Sequence, residues 1–151
     1  MAEADQRGAG IKPGGEIPQI FCCRHFLEGD TQLCRVDGAR PGEPQHSKRR
    51  LAHTIQRSVP RARDLTGRTD FQRVAVLATK AALAIGNDTG PLHLAAAAGA
   101  PTVVLFSGAS DPTLSAPRGK VETLRAERLA ELPVAKVAQT ALSLAPAPAS
   151  A

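Results

Sequence analysis

The chain has 151 residues, with 19 Lys and Arg against 14 Asp and Glu, a formal net charge of +5. That length suits one ordinary domain and leaves no room for two large ones. No stretch approaches the ~20 consecutive apolar residues of a transmembrane helix, and Met1 to Gly10 lacks the apolar centre of a secretory signal. Four Phe with neither Tyr nor Trp argue against a stacking platform for single-stranded nucleic acid. Three Cys form no even disulfide set, which suits a reducing compartment.

Residues 1–50 are broken by Gly, Pro and charge, with no period of 2 or 3.6, and read as an irregular segment. From Leu51 the pattern becomes regular. Leu51 to Ser58 is a short helical candidate stopped by Pro60, and Arg63 to Gly67 a short strand entering a turn. Thr69 or Asp70 can cap a helix over Phe71 to Ala81, with Phe71, Val74, Leu77 and Ala78 on one face. Leu83 to Gly86 is an apolar run suited to a buried parallel strand. Asn87 to Pro91 breaks the chain and opens a helix that runs to Ala98 and stops at Gly99. Thr102 to Phe106 is a strand, Ser107 to Gly119 a loop, Val121 to Arg125 a strand and Pro133 to Leu144 a closing helix. Residues 146–151 form a flexible Ala-Pro tail. Alternating strands and helices at this spacing predict an α/β fold with a Rossmann-like parallel sheet and right-handed crossovers over residues 51–145.

The chemistry concentrates in Gly86-Asn87-Asp88-Thr89-Gly90-Pro91-Leu92-His93, where a parallel strand ends and a helix begins. Open α/β sheets bind ligands at the carboxyl ends of their strands. A helix start carries N–H groups without intrahelical partners and the positive end of the helix dipole, which together seat an anion such as phosphate. Gly90 allows close backbone approach, Thr89 adds a hydroxyl donor, and His93 lies one turn in. The charge of Asp88 repels phosphate and is better matched to sugar hydroxyls, so the set points to a nucleotide-sugar. The same residues also fit a plainer account. In it Asp88 caps the helix, Gly90-Pro91 makes a turn, and His93 is a satisfied, partly buried histidine.

The run Asn87-Asp88-Thr89-Gly90-Pro91-Leu92-His93-Leu94-Ala95-Ala96-Ala97, then Gly99 to Phe106 and Asp111-Pro112, resembles the C-terminal hallmark of glycosyltransferase family 9, the heptosyltransferases of lipopolysaccharide core synthesis. Asp64-Leu65-Thr66-Gly67-Arg68-Thr69 is similar to the segment preceding that hallmark. The resemblance spans Leu51 to Gly119, weakens toward the last helix, and does not extend to residues 1–50. It implies the C-terminal half of a GT-B architecture, holding a nucleoside-diphosphate sugar such as ADP-heptose for inverting, metal-independent transfer to a lipid-linked core acceptor. Asp88 would contact the donor sugar, Thr89 and Gly90 the diphosphate, and His93 the donor phosphates. No metal site and no cofactor are implied, and the location implied is cytoplasmic, peripheral to the inner membrane.

This chain departs from the family pattern in Phe106-Ser107-Gly108-Ala109-Ser110-Asp111-Pro112, where Phe-Gly-Pro-Thr-Asp-Pro is usual. The acceptor-binding half, with its aspartate base, has no recognisable counterpart. The expectation is therefore a fragment that binds donor weakly and transfers little or nothing. The alternatives are a non-catalytic nucleotide-sugar-binding module, an inactive truncated product or, against the low aromatic content, a basic nucleic-acid-binding protein. Cys22, Cys23, His25 and Cys34 lack the paired spacing of a zinc site. Lys48-Arg49-Arg50 with Arg57, Arg61, Arg63 and Arg68 reads as a solvated basic surface, the alternatives being contact with the donor, a nucleic acid or an anionic membrane.

Overall fold

The computed structural model describes residues 20–23, 32–35, 53–60, 62–65 and 68–145. In chain order the elements are β1 (Ile20–Cys23), β2 (Gln32–Arg35), α1 (53–58), β3 (Arg63–Asp64), α2 (Phe71–Thr79), β4 (Ala81–Asn87), α3 (Gly90–Ala97), β5 (Thr102–Phe106), α4 (Pro112–Ser115), β6 (Val121–Arg125), a 3-10 turn (Leu129–Glu131) and α5 (Val134–Leu144).

One six-stranded sheet runs β3-β2-β1-β4-β5-β6. The expected parallel pairing holds across β4, β5 and β6, with Gly86 opposite Val104 and Val104 opposite Thr123. β1 departs from it, lying antiparallel to both β2 and β4. β1 and β2 also fall within residues 1–50, where the sequence shows no regular pattern. Each is only four residues long, too short to display a period, and is stabilised by pairing across the sheet rather than by an alternation of its own.

Helices cover both faces of the parallel part. Val74 and Ala78 of α2, Leu92 and Ala95 of α3, and Ala84, Val104 and Phe106 of the strands form one core. Leu83, Val103, Leu105 and Leu124 form the other with Leu132, Ala141 and Leu144. The alternation of Val103 and Leu105 with Val104 and Phe106 is the two-residue period of a strand packed on both sides.

The helix ends explain most boundaries. Asp70 caps α2 by accepting the Arg73 N–H at 2.8 Å. α2 stops at Thr79 rather than running to Ala81, because Ala81 already belongs to β4 and pairs with Cys23. Of the four residues placed on one face, Val74 and Ala78 are buried, whereas Phe71, the first helical residue, is 62% exposed. α3 closes with Gly99 at φ 91°, the Gly99 N–H donating to Ala96 O at 3.0 Å and the Ala100 N–H to Ala95 O at 3.1 Å. That pair of bonds is a Schellman motif, and its left-handed residue favours glycine. The expected loop from Ser107 to Gly119 contains the single helical turn α4, capped by Asp111.

Helical residues 53–58 and strand β3 lie where the sequence predicts them, although 51, 52, 61, 66 and 67 fall outside the described residues. Lys48-Arg49-Arg50, His25 and the 146–151 tail also lie outside them, as do the side chains of Cys22, Cys23 and Cys34. Among the described residues, no group of His, Cys, Asp or Glu is arranged to hold a metal ion, and no helix is long and apolar enough to cross a membrane.

Candidate functional site

Two parallel strands and the helix between them set the position. β4 delivers Asn87 to the carboxyl edge of the sheet, and the chain turns through Asp88 and Thr89 into α3. Thr89 is the N-cap, with an extended backbone at φ −147° and ψ 156°. Its hydroxyl donates to Asn87 O at 3.3 Å and does not cap the helix. The Thr89 carbonyl accepts the N–H groups of Leu92, at 3.0 Å, and His93, at 3.1 Å. Pro91 has no N–H to offer. The amide set at this helix start therefore centres on Gly90, fewer groups than an open first turn provides.

Gly90 is exposed and needs no unusual φ. A Cβ built on it would meet nothing within 4 Å. Its missing side chain leaves open space directly over the helix start, the room that a ligand pressed against the backbone would use.

Asp88 does not cap α3. Its Oδ1 lies 2.8 Å from His93 Nε2, and its Oδ2 accepts from Ser115 Oγ at 2.9 Å. An ionised carboxylate only accepts, so the proton of the His93 contact sits on Nε2. The Asp88 side chain is 17% exposed and that of His93 40%. The imidazole is thus tethered at one nitrogen and open to solvent over much of its surface. At the same strand end the Oδ1 of Asn87 is buried without a hydrogen-bond partner among the described residues, an acceptor that must be matched by some donor or else costs free energy.

Asp88, Thr89, Gly90 and His93 thus lie together at one strand-to-helix junction. Ser115 is the participant that sequence reasoning missed. It lies 27 residues from Asp88. The one available hint was Asp111-Pro112, a cap followed by a first-turn proline. Asp111 Oδ1 accepts from Thr113 N and from Thr113 Oγ1, each at 2.9 Å. These two bonds hold its carboxyl below the ordinary aspartate range. The capped turn carries Ser115 back to Asp88.

A second loop contact borders the site. Gly108 donates its N–H to Glu127 O at 3.0 Å, and a Cβ on Gly108 would collide with the Glu127 carboxylate. The backbone bond ties the loops after β5 and β6 together, and the Glu127 side chain folds over the space at Gly108. This contact falls where the sequence departs from the usual Phe-Gly-Pro-Thr-Asp-Pro.

A family model described as glycosyltransferase family 9 (heptosyltransferase) matches residues 40–140, about two thirds of the chain. No curated protein and no solved structure matches.

Proposed function

We propose, from the premise that the chain belongs to glycosyltransferase family 9, that it holds a nucleoside-diphosphate sugar at the junction of β4 and α3. In this reading the diphosphate lies over Gly90, with the Thr89 hydroxyl and the His93 imidazole beside it, and the donor sugar reaches toward Asp88. The donor-binding unit takes residues 51–145, its sheet extended by β1 and β2. The reading favours an ADP-heptose-like donor and a lipid-linked lipopolysaccharide core acceptor, met at the cytoplasmic face of the inner membrane.

The reaction is substitution at the anomeric carbon. A bond forms from that carbon to an acceptor oxygen, the bond to the diphosphate oxygen breaks, and the acceptor proton passes to a base outside the residues assigned here. Negative charge grows on the departing diphosphate. Backbone N–H groups fixed at the helix start, with the positive end of its dipole, offset that charge and lower the barrier.

The observation that supports this most is the open space over Gly90 at the start of α3, in the same strand-to-helix turn as the Asp88–His93 pair. Titration of the chain with ADP by calorimetry tests it. Binding in the micromolar to millimolar range is expected, and Gly90→Val should weaken it by about tenfold or more, since the branched side chain fills the seat and removes a close contact worth ~1–2 kcal/mol. The melting temperature of the variant should change little, because the new side chain enters empty space. No ADP binding, or unchanged affinity in Gly90→Val, refutes the reading.

A further inference from the structure

We infer that Ser115 is a positioning residue for the donor site, acting through Asp88 on the His93 ring; this rests on the donor reading above. Ser115 has one hydroxyl proton and two acceptors in reach, Asp88 Oδ2 at 2.9 Å and Asp111 O at 3.0 Å. The bond to Asp111 O is the ordinary back-bond of a serine within one helical turn. The bond to Asp88 is charge-assisted and therefore about twice as strong. The hydroxyl is accordingly committed to the carboxylate.

Asp88 then has one oxygen fixed by the loop after β5 and the other fixed by α3. A carboxylate held at both oxygens cannot rotate away from the imidazole. His93 Nε2 stays bonded to Asp88. Nδ1, which has no partner among the described residues, is the nitrogen left for a ligand, and with the proton on Nε2 it accepts, as from a ribose hydroxyl of ADP. The half-buried Ser115 so couples the turn after β5 to the ring orientation at the start of α3 without touching a ligand.

The test uses the intact chain, Ser115→Ala and Ser115→Thr, with ¹⁵N spectra of the histidine rings and calorimetric titration with ADP. In Ser115→Ala the His93 Nε2 resonance should move while that of His53, on α1, stays fixed, and ADP affinity should fall by about threefold to tenfold, the loss expected for one hydrogen bond. Ser115→Thr keeps the hydroxyl and should restore both. Ring resonances of His93 identical in the wild type and Ser115→Ala would overturn the inference even if ADP binds normally, because the hydroxyl would then be spent on Asp111. A Ser115-dependent His93 resonance in a chain that does not bind ADP would overturn the donor reading instead, and with it Ser115's role in positioning a ligand-binding group.

Discussion

Replacing Asp88 by Ala removes a carboxylate that joins α3 to the turn after β5. The wild-type carboxylate accepts from His93 at 2.8 Å and from Ser115 at 2.9 Å. A hydrogen bond to a charged group is worth ~1.5–3 kcal/mol net. Two considerations put the sum near the lower end. The His93 side chain is 40% exposed and regains water when its partner is lost, and Ser115 keeps Asp111 O as an alternative acceptor. The expected loss is about 1.5–2 kcal/mol. At the ~2–4 °C per kcal/mol typical of a chain of 151 residues, the melting temperature falls by roughly 3–8 °C. Asp88→Asn should cost less than about 1 kcal/mol, because the amide oxygen can still accept from His93 and the amide N–H can donate to Ser115 Oγ. Thermal melts followed by circular dichroism at neutral pH measure both. If Asp88→Ala melts within about 1 °C of the wild type, or Asp88→Asn is the worse of the two, the carboxylate is not the link described above.

Two further substitutions probe the frame that holds the site. Phe106 is 0% exposed and packs with Val74, Leu92 and Val104, so Phe106→Ala should cost about 3–5 kcal/mol in urea unfolding. That is a large part of the ~5–15 kcal/mol available to a domain, and a loss below about 1 kcal/mol would contradict the packing. Asp111 has its folded-state pKa lowered by the Thr113 backbone and hydroxyl donors. Its ionised form therefore favours the folded chain above the unfolded-state value, and this contribution disappears as the pH falls through the lowered folded-state value. Urea midpoints of the wild type and Asp111→Asn should differ near neutrality and converge in acid; a gap that stays constant or widens on acidification reverses the sign.

Local chemistry made part of this molecule readable. The Asp70 cap, the proline at the start of α3, Gly99 at its end and the apolar run of β5 each carry a signal within a few residues, and each element lies where that signal puts it. The junction between α2 and β4 does not. Thr79-Lys80-Ala81-Ala82 contains no Gly or Pro and could continue a helix. The switch to a strand comes from pairing with β1, which no local pattern records. β1 and β2 are hidden for a related reason, because four residues between turn-rich stretches are too few to show alternation. At the site, the clustering of Asp88, Thr89, Gly90 and His93 was legible because all four lie within one strand-to-helix turn. The partner that holds Asp88 was not, since Ser115 arrives from the far side of β5.

All five residues of β5 are buried. A strand with one wet face is prevented from slipping by its own alternation, since a shift of one position would bring its oily residues into water. β5 has no such safeguard, because a slipped Val-Val-Leu-Phe run would still be apolar on both sides. What anchors it is polar and sits at its first residue. Thr102 is fully buried, its hydroxyl donates to Ala100 O at 2.8 Å, and its N–H donates to Lys120 O at 2.9 Å. One step before, Pro101 O accepts from the Ala84 N–H at 2.8 Å. A displaced strand would have to give up both of these bonds to its neighbours, which the apolar side chains cannot replace. The main-chain bonds at the strand's entry thus set the frame in which the rest of the apolar run is read.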